Sequence, residues 1–217
     1  MKRYTLILIS LMFMPFTGAN QVLDGIDYIT PFHEELAAVK KGDQWAFVNT
    51  QGDIVIDFRD DLVWSKAIET ESKKGLIRKE PTKYPRFSEG RCLIYKMKDG
   101  FKYYGYMDKT GKTVITPEFI NARVFDNGYA IVLKVTKEII GRNEILGKDV
   151  ISYSYAEQVI DPEGILKAYL KGPVNLVMSK GTMKQPPAIK SYIVSPDLVA
   201  FHTNDANWKL IQLDSFE

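Results

Sequence analysis

Short apolar runs separated by glycine turns dominate this chain, and they recur in a fixed order. Leu36–Val39 and Trp45–Val48 flank the turn signal Lys41-Gly42-Asp43, and Ile54–Ile56 follows Gly52. Two runs of β-prone residues across a glycine turn predict a hairpin, and the third run predicts a strand added to it. Arg91–Tyr95, Tyr103–Met107 and Thr113–Ile115 repeat the order, with turns at Lys98-Asp99-Gly100 and through Gly111. Two phrases mark the repeat. In the first, an aromatic is followed five positions on by a small residue and seven on by a β-branched one: Phe32-Ala37-Val39, Phe87-Cys92-Ile94 and Phe125-Ala130-Val132. In the second, Asn or Asp precedes a turn glycine by three, in Asn49-Thr50-Gln51-Gly52, Asp108-Lys109-Thr110-Gly111 and Asp161-Pro162-Glu163-Gly164. Self-similarity on this scale is the mark of a repeat array.

The third copy opens with Val124–Val132, but its second run is displaced, so its hairpin carries an insertion. Ile139-Ile140 and Val150-Ile151 surround Gly141 and Gly147, which predicts an extended hairpin rather than a disordered loop. A second irregular stretch, Arg59 to Pro85, reads as a long loop with one strand at Gly75–Arg78. Lys171-Gly172-Pro173 and Gly181 to Pro187 read as loops. Ser191–Val194, Leu198–Phe201 and Trp208–Ile211 predict three closing strands, the last two joined by a turn at Asn204–Asn207. Terminal units of an array present a polar outer face and depart from the consensus, so residues 171–217 are expected to cap it. No mature segment sustains helical periodicity. The prediction is an all-β chain of tandem antiparallel hairpin and meander repeats, forming a curved array or a propeller-like assembly. Its units lie near 28–58, 84–119 and 120–170 within one domain, 20–217.

The run Tyr104-Gly-Tyr-Met-Asp-Lys-Thr-Gly-Lys-Thr-Val-Ile-Thr-Pro-Glu-Phe119, followed by Phe125-Asp-Asn-Gly-Tyr-Ala130, resembles the WG repeat family, also called KWG repeats. Unit one keeps Trp45 but has Ala46 for the glycine and Phe58 where the proline would be; unit three has Glu157-Gln158 for Trp-Gly. The resemblance covers roughly residues 28 to 170. It implies bacterial proteins, often exported, built of short antiparallel strands, with no shared catalytic residues.

The amino terminus adds an address. Lys2 and Arg3 precede an apolar run from Tyr4 to Phe16, and Thr17-Gly18-Ala19 supplies small residues. That order predicts a secretory signal peptide, residues 1–19, cut after Ala19. The rival is an uncleaved anchor, but the run is shorter than the roughly 20 residues that span a bilayer. No cysteine lies near the cut to carry a lipoprotein anchor. The expected destination is a bacterial periplasm or the medium. Export also changes the charge. The whole chain has 29 basic and 27 acidic residues, and the leader holds two of the basic ones, so the mature chain is formally neutral. A nucleic-acid partner, which calls for a basic excess on one face, is not implied.

Few residues suggest chemistry, and most of those that do have a structural reading. Asn49, Asp108 and Asp161 precede turns by a fixed step, where such side chains bond backbone amides. Cys92 is the sole cysteine and fills the place of Ala37 and Ala130, which predicts a small buried side chain and precludes an intramolecular disulfide. His33 and His202 have no metal-ligand spacing, and His33-Glu34-Glu35 reads as surface. Gly-x-Ser-x-Gly, Ser-x-x-Lys and phosphate-cradling glycine loops are absent. No catalytic, cofactor-binding or metal site is assigned, and no cofactor is implied. Asp60-Asp61 and Asp24 with Asp27 are the nearest candidates for paired carboxylates. Among the aromatics, alternation puts Tyr104 and Tyr106 on one face and Tyr103 on the other, which makes Tyr103 the expected surface contact. Trp64 and Trp208 lie outside the repeat core. The expected function is that of an exported, non-enzymatic protein offering a surface to a protein or an envelope glycan. The alternative is an exported glycan hydrolase with acids drawn from the inserted loops.

Overall fold

The computed structural model describes residues 23–64, 84–179, 186–203 and 207–213. The predicted signal peptide, residues 1–19, and the strand predicted at Gly75–Arg78 lie outside the described residues. Those described form strands and no helix, as the all-β reading requires. In chain order they are β1 (Tyr28–Ile29), β2 (Ala37–Lys41), β3 (Gln44–Val48), β4 (Ile54–Arg59), β5 (Cys92–Lys98), β6 (Phe101–Met107), β7 (Thr113–Ala122), β8 (Ala130–Asn143), β9 (Lys148–Ile160), β10 (Leu166–Asn175), β11 (Tyr192–Ser195), β12 (Leu198–His202) and β13 (Trp208–Gln212). They pair antiparallel in three open sheets, ordered β1-β2-β3-β4, β10-β9-β8-β7-β6-β5 and β11-β12-β13. No closed barrel or propeller is formed among the described strands.

Each repeat is one meander: β2–β4, β5–β7 and β8–β10. One backbone bond recurs in the link between units. Thr30 N donates to Ala38 O at 3.0 Å, Val63 N to Leu93 O at 3.1 Å and Arg123 N to Ile131 O at 3.0 Å. In each case the tail of a third strand reaches the first strand of the next unit, so β1 takes the place of a third strand ahead of unit one.

The period of two sorts each strand into a front and a back face. Trp45 and Phe47 on the back of unit one pack with Cys92, Ile94 and Met107 on the front of unit two. Tyr106, Ile115 and Phe119 on the back of unit two pack with Ala130, Val132 and Ile160 of unit three. The back of unit three, with Ile131, Leu133 and Val159, meets Val199 of the closing sheet and Leu213 after it. At the other end, Leu23 and Ile26 pack against the front of unit one at Ala37, Val39, Ala46 and Val48. The small residue of the first phrase lets neighbouring units approach: Ala37, Cys92 and Ala130 are all at most 1% exposed.

Two local expectations are corrected. The segment Lys171-Gly172-Pro173 is strand, not loop, because β10 continues through it to Asn175. Proline is tolerated there because β10 is an edge strand whose register is interrupted by bulges. The third strand of unit two also runs on to Ala122, where it pairs with Val132. The predicted extended hairpin is present, as β8 and β9 paired from Ala130↔Ile160 to Asn143↔Lys148. The three closing strands are present too; most of the turn between β12 and β13, like most of the predicted loop from Gly181 to Pro187, lies outside the described residues.

Candidate interaction surfaces

Asn49, Asp108 and Asp161 act in their turns as the sequence predicts. The Oδ1 of each accepts from the amides two and four residues on, at 3.0 and 2.9 Å for Asn49, 2.9 and 3.1 Å for Asp108, and 3.1 and 2.8 Å for Asp161. The Thr110 hydroxyl, then the turn amides, hold the Asp108 carboxyl below its ordinary range against a small burial penalty. These side chains are engaged in folding the turn.

A second turn recurs just after the aromatic of the first phrase. Its central residues are Glu34-Glu35, Glu89-Gly90 and Asn127-Gly128, with φ of 51° and 70°, 54° and 71°, and 53° and 83°. Positive φ at both positions marks a type I′ turn. The turns are joined in series. The Glu34 carboxylate accepts from the amides of Glu89 and, at 2.9 Å, Gly90, while that of Glu89 accepts from Gly128 N at 2.7 Å. Lys109 secures the first link, its Nζ lying 3.1 Å from Glu34 O and 3.2 Å from Glu34 Oε2. Partial burial opposes ionisation of Glu34, but the Gly90 amide, Lys109 and the Glu89 amide outweigh it and hold the carboxyl below its ordinary range. Reading His33-Glu34-Glu35 as plain surface missed this. The signal was an acid two positions after the aromatic in units one and two, with Asn127 in its place in unit three.

At the bulge of unit two the backbone requires glycine at Gly105. A Cβ there would lie 2.4 Å from Ile115 O and 2.6 Å from Pro117 N, where β7 bulges against β6. The turn glycines are seated on the preceding unit. A Cβ on Gly111 would come within 3.2 Å of the Ile56 side chain, and one on Gly164 within 3.3 Å of that of Ile115. Residues 25–45 and 104–134 match the WG containing repeat family. No curated protein and no solved structure matches the chain. The second WG match begins at Tyr104-Gly105 and ends on the first strand of unit three, so it takes in the bulge, the turn at Gly111 and the link to the next unit. At Glu157, where unit one has Trp45, the back face of unit three meets the closing segment: Glu157 is buried and its Oε1 accepts from Ser191 N at 3.3 Å.

The remaining residues singled out by sequence are dispersed. Asp61 clamps Arg59 through two bonds of 2.5 and 2.7 Å, while the Asp60 carbonyl accepts from the Tyr95 hydroxyl at 3.0 Å. Asp27 accepts from Gly42 N at 2.6 Å, and Asp24 is exposed. Among the described residues no cluster of His, Cys, Asp and Glu is arranged to hold a metal. His33 is half-buried, with Nε2 3.1 Å from the Tyr84 hydroxyl, and His202 lies against Trp208. Burial pushes the Cys92 thiol far up. Tyr103 is corrected: it does face away from Tyr104 and Tyr106, but it is half-buried against the core of unit three. Trp64 packs on Trp45 with Lys40 above its ring, whereas Trp208 is 44% exposed.

On the described surface, an apolar arm and a hollow stand out. One is the outer half of the β8–β9 hairpin. Beyond Phe119↔Lys134 on one side and Asn175↔Ser154 on the other, the ribbon has no ladder partner among the described strands. Ile139 and Ile140 are each 62% exposed, and Ile145 at the tip is 95% exposed. The other is a cavity of about 430 Å³ at the junction of units one and two, between the turns at Glu34-Glu35 and Asn49–Gln51, with Lys109 on its rim.

Proposed function

We propose that this is an exported, non-enzymatic scaffold: an open stack of WG repeats that holds out the β8–β9 arm to bind another protein. The observation that carries this reading is the arm. A two-stranded ribbon is marginal in water, and an apolar strand with free backbone edges is a template for pairing. Here the apolar residues lie beyond the core, on both strands and at the tip, so they contribute little to the stack they extend from. Their chemistry suits strand addition or insertion into an apolar groove. Export is supported by the leader pattern at residues 1–19.

The test is capture from the native envelope fraction with residues 20–217, beside a variant in which Glu138–Ser152 is replaced by Asn-Gly. The replacement joins Lys137 to Tyr153, which already face each other, through a two-residue hairpin turn. The variant is expected to keep its thermal midpoint and lose a specific protein partner that the intact chain retains. A partner retained by both proteins, or recovery of an envelope glycan alone, would contradict the reading.

A further inference from the structure

The cavity at the first unit junction has an internal counterpart that shows why it is open. Its lining residues Leu36, Asn49 and Lys109 correspond, one repeat later, to Arg91, Asp108 and Pro162. At that second junction Arg91 occupies the space: its Nε donates to Pro162 O at 2.9 Å, its charge acts on Asp108, and NH2 lies 3.8 Å from Glu163. Unit one has Leu36 in place of this arginine, and the side chain turns into the core instead. The acids that face Arg91 are replaced as well, with Asn49 for Asp108 and Thr110 for Glu163. The first junction therefore lacks the arginine and the two acids that face it at the second, and the charges on its lining are Glu35 and the Glu34–Lys109 pair.

What remains is a polar wall over an apolar floor, with neutral groups on one side and Glu35 and the Glu34–Lys109 pair on the other. Leu36 and Val55 supply the floor, and the exposed side chains of Thr50 and Gln51 supply hydroxyl and amide groups. Glu35 offers a carboxylate acceptor at the edge, and Lys109 is already neutralised by Glu34. The hollow is open to solvent, and its volume of about 430 Å³ leaves room for one sugar ring to lie over the floor. A pyranose presents the matching chemistry, with an apolar ring face and a periphery of neutral donors and acceptors. We propose that this cavity is a saccharide subsite, made by the loss of the arginine that closes its counterpart. It is independent of the β8–β9 arm and stands or falls separately from it.

The test is titration of ¹⁵N-labelled residues 20–217 with N-acetylglucosamine trisaccharide and, separately, with maltotriose, followed by amide chemical shifts. Saturable shifts from at least one sugar are expected at Thr50, Gln51 and Lys109. Leu36→Arg, which refills the opening as Arg91 does, should weaken binding by at least tenfold. The exposed double variant Thr50→Ala/Gln51→Ala should do the same in a chain whose core is untouched. Shifts confined to other surfaces, absence of saturable shifts with both sugars, or undiminished binding by the folded double variant would each overturn the proposal.

Discussion

The residues that matter most here are those that join one repeat to the next. Glu34 illustrates how an acidic side chain on a surface turn becomes structural: it accepts from two amides of the following unit and pairs with Lys109. Because the fold holds its carboxyl below the ordinary value, its contribution to stability is present above the ordinary glutamate range and is lost as the pH falls through the folded value. Glu34→Gln is therefore expected to be less stable than the parent at pH 7, with the gap narrowing as the pH drops below about 4. Urea unfolding at neutral and acid pH reads this directly, and a gap that stays constant would refute it. The sequence displayed part of this arrangement. The spacing of Asn49, Asp108 and Asp161 from their glycines stated the role of all three, since an Asx turn is local. The reach of Glu34 to the next unit crosses more than fifty residues, and no local pattern announces its partner.

At the level of elements, alternation and turn chemistry made most strands legible, because each is a short run bounded by its own glycine. The third strands were the least legible. They bulge against the second strands and outlast their apolar runs: β7 runs on to pair with the first strand of the next unit, and β10 passes through Gly172-Pro173 as an edge strand. The bulge has a sharp requirement at Gly105, where β7 backbone occupies the space of any side chain. Gly105→Ala is expected to cost at least about 1–3 kcal/mol, since neither Ile115 O nor Pro117 N belongs to a side chain that can swing away. Chemical denaturation measures the loss, and an unchanged midpoint would show that β6 and β7 can separate at no cost. The arm was legible as an extended hairpin from Ile139-Ile140 and Val150-Ile151. Its exposure was not, because an apolar run looks the same whether or not another element covers it.

Across the whole molecule, stacking back face on front face explains why the conspicuous aromatics are structural. Phe47 meets Phe87 and Tyr106 meets Phe125 in edge-to-face contacts with centroids 4.9 and 4.8 Å apart, one pair at each junction. The closing sheet replaces a fourth unit at one end, and Leu23 with Ile26 covers the other. Apart from the arm, the described core is already partnered within the chain, and this is why binding is assigned to an element that projects from the stack. The cavity at the first junction was hidden from sequence reasoning for a different reason: it arises from the difference between Leu36 and Arg91, and such a difference acquires meaning only once the two junctions are superimposed in space.

Hydrogen exchange followed by mass spectrometry tests the central assignment most directly. Residues 20–217 would be compared alone and with the protein captured from the envelope fraction. The account predicts slow exchange throughout the central strands in both states, and fast exchange of residues 138–151 in the free chain that slows on binding. Protection that appears elsewhere while residues 138–151 continue to exchange fast would contradict it.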